Sequence, residues 1–384
     1  MKKPLLLPNV VLMSLFAYAA GVQAGTARVE TDESDPTRQW QINGSAVNLN
    51  TNIDVSTGFD AGLNLDGLSN FKQQKLSFLN SANQTPLSMT ATVYGVVPNR
   101  PQPAHLISNA NQSLVSVVGV GSSDLHHNTG AVGPTINGTI KTSVYVALDG
   151  GKYNANDGGP TSVYHFRSQG ADGNSDESGF VAADPFGANG GNVSVDLYNY
   201  DSARANAITA SGTLAQGSSS LPWEAGAALL SAVSQGGQGT VRDALPFDGG
   251  FGGNVSVWTD QNAVLTLDVN AKANSPVVGL LALSRGGKGS TVDDRTGHNG
   301  KGGEVDVTFS SIIEGSKPYS MGIVAASVGA ASQYETLTRP SASGGGSNVS
   351  VRLEYADINL SSTNTIGVVA TSTAENPKAN GSIG

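Results

Sequence analysis

Cysteine is absent from this sequence of 384 residues, and charged residues make up only 13% of it. Without cysteine the chain has no disulfides, no thiol nucleophile and no thiolate ligands for a metal, so a large continuous core must hold it together. The charge that is present is unbalanced, with a formal net charge of -9 and no block of Lys and Arg. Because nucleic acid and anionic lipid repel an acidic chain, we expect neither as a partner.

Long apolar runs are confined to the N-terminus. Two lysines precede a mostly apolar stretch over 5–20, and small residues stand at Val22 and Ala24, where a signal peptidase reads them. This three-part pattern predicts a secretory signal peptide over 1–24 and export by the Sec route. The alternative is a retained transmembrane anchor, which the shortness of the run and its polar interruptions disfavour.

Helical periodicity is weak, whereas glycine is abundant, with 49 residues, and it marks a repeat. One repeated phrase is a glycine pair followed by Val alternating with polar residues, as in Gly190 to Leu197. Further copies begin at Gly252, Gly302 and Gly345. Alternation with a period of two predicts a strand buried on one face. In the third copy, Val305 and Val307 are expected to face the core and Asp306 to face outward.

A second phrase consists of a glycine, several aliphatic residues, Ala and usually Ser. Its copies lie 47, 53, 43 and 45 residues apart and begin at Gly179, Gly226, Gly279, Gly322 and Gly367. A third apolar segment lies between the two phrases, so each unit contains three short strands and a Gly-rich loop that absorbs the variation in length. This arrangement predicts one coil of a parallel β-helix, with an antiparallel sandwich as the alternative.

We therefore expect an all-β chain folded as a right-handed parallel β-helix, or solenoid, with Gly-rich inter-coil loops. Residues 25–124 match the repeat poorly and are predicted to form a leader and a cap, whereas residues 125–384 are predicted to be solenoid repeats. The tail over 375–384 reads as one more inter-coil loop, so the array is expected to be truncated at its C-terminus. Glycines are expected to supply the backbone angles of the corners, and the loop tips to be flexible linkers.

The order Gly-Gly-x-Val-x-Val, apolar strand, Gly-Ile-x-Ala-x-Ser and Gly-rich loop resembles the passenger region of bacterial autotransporters. The best matches are Gly279 to Gly287 and Met321 to Gly329, and the resemblance extends over roughly half of the chain. It implies a surface-displayed β-helical stalk, often an adhesin, with no catalytic residues. The implied partners are host or cell-surface glycans or proteins, and an outer-membrane β-barrel in the same longer chain or a separate one. No barrel pattern follows Leu353, so the unextended chain is expected to remain in the periplasm.

The candidates for catalysis are few. Some β-helices are polysaccharide lyases or hydrolases, and glycoside hydrolysis needs two carboxylates facing one bond. Asp293 and Asp294 with Gly297 and His298 faintly resemble the paired Asp and Gly-His elements of polygalacturonases. In that family these elements lie on different coils, whereas here they share one loop, so a solvated role is favoured.

Candidate metal ligands are equally sparse. Asp124 with His126 and His127 is one possible set, but adjacent side chains of a strand point to opposite faces, which disfavours a common metal. Two loops rich in Asn and Asp, 154–159 and 172–177, are candidates for weak calcium binding, although neither has the order of an EF-hand. We therefore assign no metal ligand and no cofactor.

Aromatic residues form only 6% of the chain. Trp223, Trp258, Tyr198 and Tyr200 are candidates for a sugar-stacking surface, although aromatic residues on strands more often serve packing. We therefore assign no catalytic or cofactor-binding residue, and expect a non-catalytic structural or adhesive passenger at the cell surface, in the outer membrane or outside the cell. The alternatives are a carbohydrate-active β-helix enzyme and a periplasmic structural protein.

Overall fold

The structure, a computed structural model, describes residues 28–31, 38–44, 48–54, 74–80, 88–96, 104–105, 113–121, 132–154, 158–174, 185–198, 207–261, 263–292, 295–330 and 344–374. The predicted signal peptide over 1–24 and the predicted final loop over 375–384 lie outside the described residues.

The described chain is all-β, as predicted, and its helical content is a single 3-10 turn at Pro222–Glu224. The strands are β1 (Arg28–Thr31), β2 (Arg38–Gly44), β3 (Asn48–Asp54), β4 (Gln74–Asn80), β5 (Ser88–Val96), β6 (Ala104–His105), β7 (Val115–Gly121), β8 (Thr135–Ala147), β9 (Tyr153–Asn154), β10 (Gly159–Gln169), β11 (Val193–Leu197), β12 (Ala207–Thr213), β13 (Ala227–Gln235), β14 (Val241–Arg242), β15 (Leu245–Pro246), β16 (Val255–Thr259), β17 (Val264–Asn270), β18 (Val277–Arg285), β19 (Thr291–Val292), β20 (Arg295–Thr296), β21 (Val305–Phe309), β22 (Ile312–Gly315), β23 (Ser320–Gly329), β24 (Val349–Leu353), β25 (Asp357–Leu360) and β26 (Ile366–Ala374).

Most strands pair in parallel with the strand at the same place in the next repeat unit. In the 10-stranded sheet the order is β1-β2-β4-β7-β10-β13-β18-β23-β26, and we call this path the first ladder. The copies of the glycine-aliphatic-serine phrase that begin at Gly279, Gly322 and Gly367 are in register there, with Ala282 beside Ala325 and Ala325 beside Ala370. The copy that begins at Gly226 is out of step by three residues, because Ala227 lies beside Val277, and the copy at Gly179 lies outside the described residues. Along this path the antiparallel pair is β1 with β2.

The 12-stranded sheet has two branches, which are joined by the 13-residue strand β8. The first part of β8 pairs with β5 and β11, and its last part pairs with β6 and β12. We call β5-β8-β11-β16-β21-β24 the second ladder and β8-β12-β17-β22-β25 the third ladder. From β11 onward each unit contributes strands to the second, third and first ladders in that order. The parallel pairing contrasts with the antiparallel sandwich of the alternative interpretation.

One apolar core lies between the ladders. It contains inward-facing residues of the second, third and first ladders, such as Val257, Leu265 and Leu280, all at most 2% exposed. In β21 the predicted alternation is confirmed, because Val305 and Val307 are buried while Asp306 is exposed. The period of two therefore separates core from surface in this ladder.

Strands β10, β13, β18 and β23 of the first ladder are buried on both faces. Its outer face packs in a second apolar cluster that includes Leu221 and Trp223 from the 3-10 turn region and Leu281 of β18. Strands covered on both faces read as continuous apolar runs, which explains why this phrase lacks alternation. Beside the cluster, buried Glu224 accepts a hydrogen bond from Arg285 at 2.8 Å.

The Gly-rich segments form extended, ordered arms. An outgoing arm leaves the first ladder, as at 236–240, and a returning arm enters the second ladder, as at 247–254. In the outgoing arm, Gly236 and Gly239 donate backbone hydrogen bonds to the next unit, whereas Gly237 and Thr240 donate to the returning arm of the preceding unit. A period of three residues is that of the polyproline II conformation, in which neighbouring chains supply the hydrogen bonds.

Close approach of backbones, and not a left-handed conformation, requires glycine in these arms. A Cβ atom on Gly250 would overlap the carbonyl oxygen of Ala188, and one on Gly287 would overlap that of Gly237. Neither glycine has a positive φ. Glycine was expected to supply the backbone angles of the corners, whereas in these arms it is the absence of a side chain that matters.

The described tip at 243–244 is a hairpin turn. Asp243 and Ala244 have φ of 49° and 55° and connect the antiparallel strands β14 and β15. Positive φ at both central residues is the requirement of a type I′ turn. The prediction that the loop tips are flexible linkers is thus wrong at this tip.

A buried serine near the end of β13 and of β18 connects the two repeated phrases. Ser284 Oγ donates to the carbonyl oxygen of Gly253 at 2.7 Å and accepts the N–H of Gly303 at 2.7 Å. Ser234 Oγ likewise donates to Gly191 at 2.7 Å and accepts from Gly253 at 2.8 Å. The serine of one phrase and the glycine pair of the other therefore recur together because they are hydrogen-bond partners.

Strands that precede residue 125 belong to the same two sheets as the later strands. β2 pairs with β4, β4 with β7 and β7 with β10, all in parallel. β3 pairs with β5 and β5 with β8 in the other sheet, also in parallel. The boundary between a cap over 25–124 and repeats over 125–384 stays a prediction.

Candidate ligand-binding surface

The outer face of the second ladder carries in-register columns of side chains that come from different repeat units. One column crosses five strands, from β8 to β24, and consists of Thr139, Asp196, Trp258, Thr308 and Arg352. Parallel pairing without a shift puts each member beside its counterpart in the next unit. Residues that are roughly 50 positions apart in sequence thus become neighbours.

Two aromatic rings meet on this face. The ring centroids of Tyr198 and Trp258 are 5.2 Å apart, with a tilt of 50° between the ring planes. Tyr198 is 37% exposed and Trp258 is 36% exposed, so each ring keeps a solvent-facing part. The ammonium nitrogen of Lys141 lies 5.4 Å from the Tyr198 ring centroid, within the range of a cation–π contact. We call Lys141, Tyr198 and Trp258 the aromatic platform.

Two carboxylates adjoin the platform. Asp196 lies beside Trp258 in the column, and partial burial raises the pKa of its carboxyl group above the usual value because burial disfavours the charged form. The N–H of Asp260 donates to the carbonyl oxygen of Leu197 at 2.8 Å, which puts Asp260 next to Tyr198. The platform therefore combines apolar ring surface with one cationic and two acidic groups.

The neighbouring column of this face is polar. Ser256 Oγ donates to Ser194 Oγ at 2.9 Å, and Asp306 follows in the next strand. Tyr198 and Trp258 lie in these polar surroundings and do not fill the core. Each of the two rings keeps an exposed part on this face.

The structure puts the aromatic residues that the sequence offered as candidates in different places. Tyr198 and Trp258 are brought together, whereas Trp223 is 6% exposed and packs in the cluster on the first ladder. Trp223 is therefore not part of a surface for sugars. Tyr200 lies outside the described residues.

The loop that faintly resembles the polygalacturonase elements, and for which a solvated role is favoured, is only partly described. His298 is exposed, its N–H donates to Asp248 Oδ1 at 2.6 Å, and its ring Nδ1 lies 3.1 Å from the same oxygen. Asp248 belongs to the returning arm of the preceding unit, so His298 is part of the arm-to-arm contacts. Asp293 and Asp294 lie outside the described residues.

The predicted metal ligands are also largely undescribed. Asp124, His126, His127 and the segments 155–157 and 175–177 lie outside the described residues. In the second of the two predicted calcium loops, the described Asp172 accepts the N–H of Gln238 at 2.7 Å through Oδ1. Within the described part of the chain, no group of three or more His, Asp or Glu side chains is arranged to hold a metal ion.

Sequence reasoning missed Lys141, Asp196 and Asp260 because none of them belongs to a motif that is typical of a binding or catalytic site. A signal for Asp196 was nevertheless present. Aligning the copies of the first phrase at Val193 and Val255 puts Asp196 level with Trp258, three residues further along each copy. Lys141 has no such signal, because β8 carries no copy of the phrase.

No family, curated protein or solved structure matches this chain. No helix in the described part of the chain has the length and apolar character required to cross a membrane.

Proposed function

We propose that the three ladders are the faces of a right-handed parallel β-helix, and that the chain is an exported, non-catalytic scaffold that is displayed on the cell surface or secreted. This is the role of the autotransporter passengers that the repeats resemble. An adhesive surface on such a scaffold would face glycans or proteins outside the cell.

The register of the repeats is the observation that carries the proposal. Four successive units supply in-register strands to all three ladders, and the variation in unit length is accommodated in the Gly-rich arms and in the segments between the ladders. Parallel crossover connections are right-handed in almost all proteins, which supports the proposed hand. A stack of this kind grows by about 4.8 Å for each unit, so repetition produces a rod.

Two further observations support export and display. The N-terminal sequence over 1–24 has the composition of a signal peptide, and the stack is stabilised without any cysteine. Apart from the aromatic platform, its outward surface along the second ladder is polar, with residues such as Ser256 and Asp306, which suits a stalk that must stay exposed to water.

The location of the protein in its native cell tests the proposal. An epitope inserted between Asp243 and Ala244, at the described hairpin tip, leaves the ladders intact, because exposed loop tips tolerate insertions. We expect the epitope in the medium, or on intact cells where external protease removes it. A mature N-terminus at Gly25 is the accompanying expectation. An epitope protected in the periplasm would favour the periplasmic structural alternative, and an uncleaved cytoplasmic chain would refute export.

A carbohydrate-active enzyme is the second candidate, and Asp196 is the observation that favours it. A glycosidase acid is a carboxyl group whose pKa is raised, beside the sugar and opposite a second carboxylate. Asp196 has such a raised pKa next to Trp258, with Asp260 nearby. Release of reducing sugar from a polysaccharide that disappears in Asp196→Asn would establish the enzyme and refute the non-catalytic proposal.

A further inference from the structure

We propose that the aromatic platform of Lys141, Tyr198 and Trp258 is a binding site for neutral glycans. The proposal deepens the display function proposed above and rests on it for its biological setting. It supplies the class of ligand that the outer face of the second ladder would recognise.

The arrangement of the two rings matches the chemistry of sugars. One face of a pyranose ring presents C–H groups and is apolar, while its edge carries hydroxyl groups. Tyr198 and Trp258 lie side by side at 5.2 Å with a 50° tilt, and each is more than a third exposed, so together they present apolar ring surface to the C–H face of a sugar. Each ring is rigid and has only two rotatable side-chain bonds, so little conformational entropy is lost on binding.

The groups around the rings provide hydrogen bonds to a ligand and select against anionic ligands. The Lys141 ammonium group is a donor, and the carboxylates of Asp196 and Asp260 are acceptors for sugar hydroxyls. These three groups carry two negative charges against one positive charge when ionised, and the chain as a whole has a net charge of -9. Anionic polysaccharides are therefore repelled, and neutral ones are favoured.

Packing alone does not account for this pair. Buried aromatic residues of this protein, such as Tyr164 and Phe166, are 0% exposed, whereas Trp258 is 36% exposed on a strand whose other outward residue is Ser256. The positions beside Trp258 in the column are held by the smaller residues Asp196 and Thr308, so the strand surface has no need of a large ring there.

The test is affinity electrophoresis of the full chain through native gels that contain β-1,3-glucan, xylan or galactomannan, with polygalacturonate as the anionic comparison. We expect retardation by at least one neutral polysaccharide and none by polygalacturonate. Trp258→Thr replaces the ring by the residue type of its column neighbour Thr308 and should raise the apparent dissociation constant about tenfold, since about 1.4 kcal/mol of lost contact corresponds to that factor. Trp258→Phe keeps a ring and should restore most of the binding.

Phe251→Ala is the matched control, because Phe251 is an aromatic residue that is 51% exposed but lies in a returning arm away from the platform. It should bind like the original chain. Absence of retardation by all three neutral polysaccharides would overturn the proposal, as would equal retardation by polygalacturonate or equal binding by Trp258→Thr. A displayed chain that fails to bind would refute the site alone, whereas a binding chain that stays in the cytoplasm would refute the display function alone.

Discussion

Substitution of a single arm glycine tests whether the Gly-rich arms are packed elements of the fold. Gly250 lies in a returning arm, where its N–H donates to Gly237 O at 2.8 Å and its carbonyl oxygen accepts from Gly287 N at 2.8 Å. A Cβ atom in Gly250→Ala would overlap the backbone oxygen of Ala188. Because that oxygen belongs to backbone, it cannot rotate away, and the arms must separate.

The expected magnitude follows from two effects. Overpacking of a dense site costs about 1 to 3 kcal/mol. Weakening the two backbone hydrogen bonds adds about 0.5 to 1.5 kcal/mol each. We therefore expect Gly250→Ala to lower the free energy of unfolding by about 2 to 6 kcal/mol.

Gly345→Ala is the matched control. Gly345 lies in the returning arm of a later unit, has no positive φ, and a Cβ atom there would meet nothing within 4 Å. The change should be neutral, or stabilising by up to about 1 kcal/mol, because alanine restricts the unfolded chain. Urea unfolding followed by far-UV circular dichroism measures both variants, and hydrogen exchange at the arm amides reports local opening. Equal unfolding midpoints for the two variants would refute the packed-arm interpretation.

Three further outcomes are expected. Ser284→Ala should lower the free energy of unfolding by about 1 to 3 kcal/mol in urea denaturation, because it leaves Gly253 and Gly303 without their shared hydrogen-bond partner. The same change at the exposed Ser256 should have little effect, and equal effects of the two variants would contradict the connecting role of Ser284. Val307→Asp should cost several kcal/mol, because it buries a charge without a partner, and Asp306→Val should cost far less; similar melting temperatures would contradict the inward and outward assignment. Because the pKa of Asp196 is raised, the folded state binds more protons than the unfolded state, so the free energy of unfolding should fall as pH rises from about 3.9 through the raised pKa. Asp196→Asn should remove that fall. A urea midpoint whose dependence on pH is the same in the variant would contradict the reasoning.

The repeated phrases were sufficient to predict the strands and their inward faces. In Gly302 to Phe309 the alternation of Val with polar residues is local information, because one face of a strand meets the core and the other meets water. Such a pattern does not depend on which strand lies alongside. The second phrase predicted a strand but not the burial of both its faces, since the covering residues Leu221 and Trp223 come from a different segment.

Only the tertiary structure decided why glycine recurs in the arms. The sequence shows a glycine at Gly250 but not the backbone of Ala188 that excludes a side chain there, since that contact spans a whole repeat unit. The tertiary structure likewise determined which residues form the aromatic platform. Lys141, Tyr198 and Trp258 lie on three strands of consecutive units, and no local pattern links them. They meet because parallel pairing in register brings distant residues to one face, and register is a property of the stack as a whole.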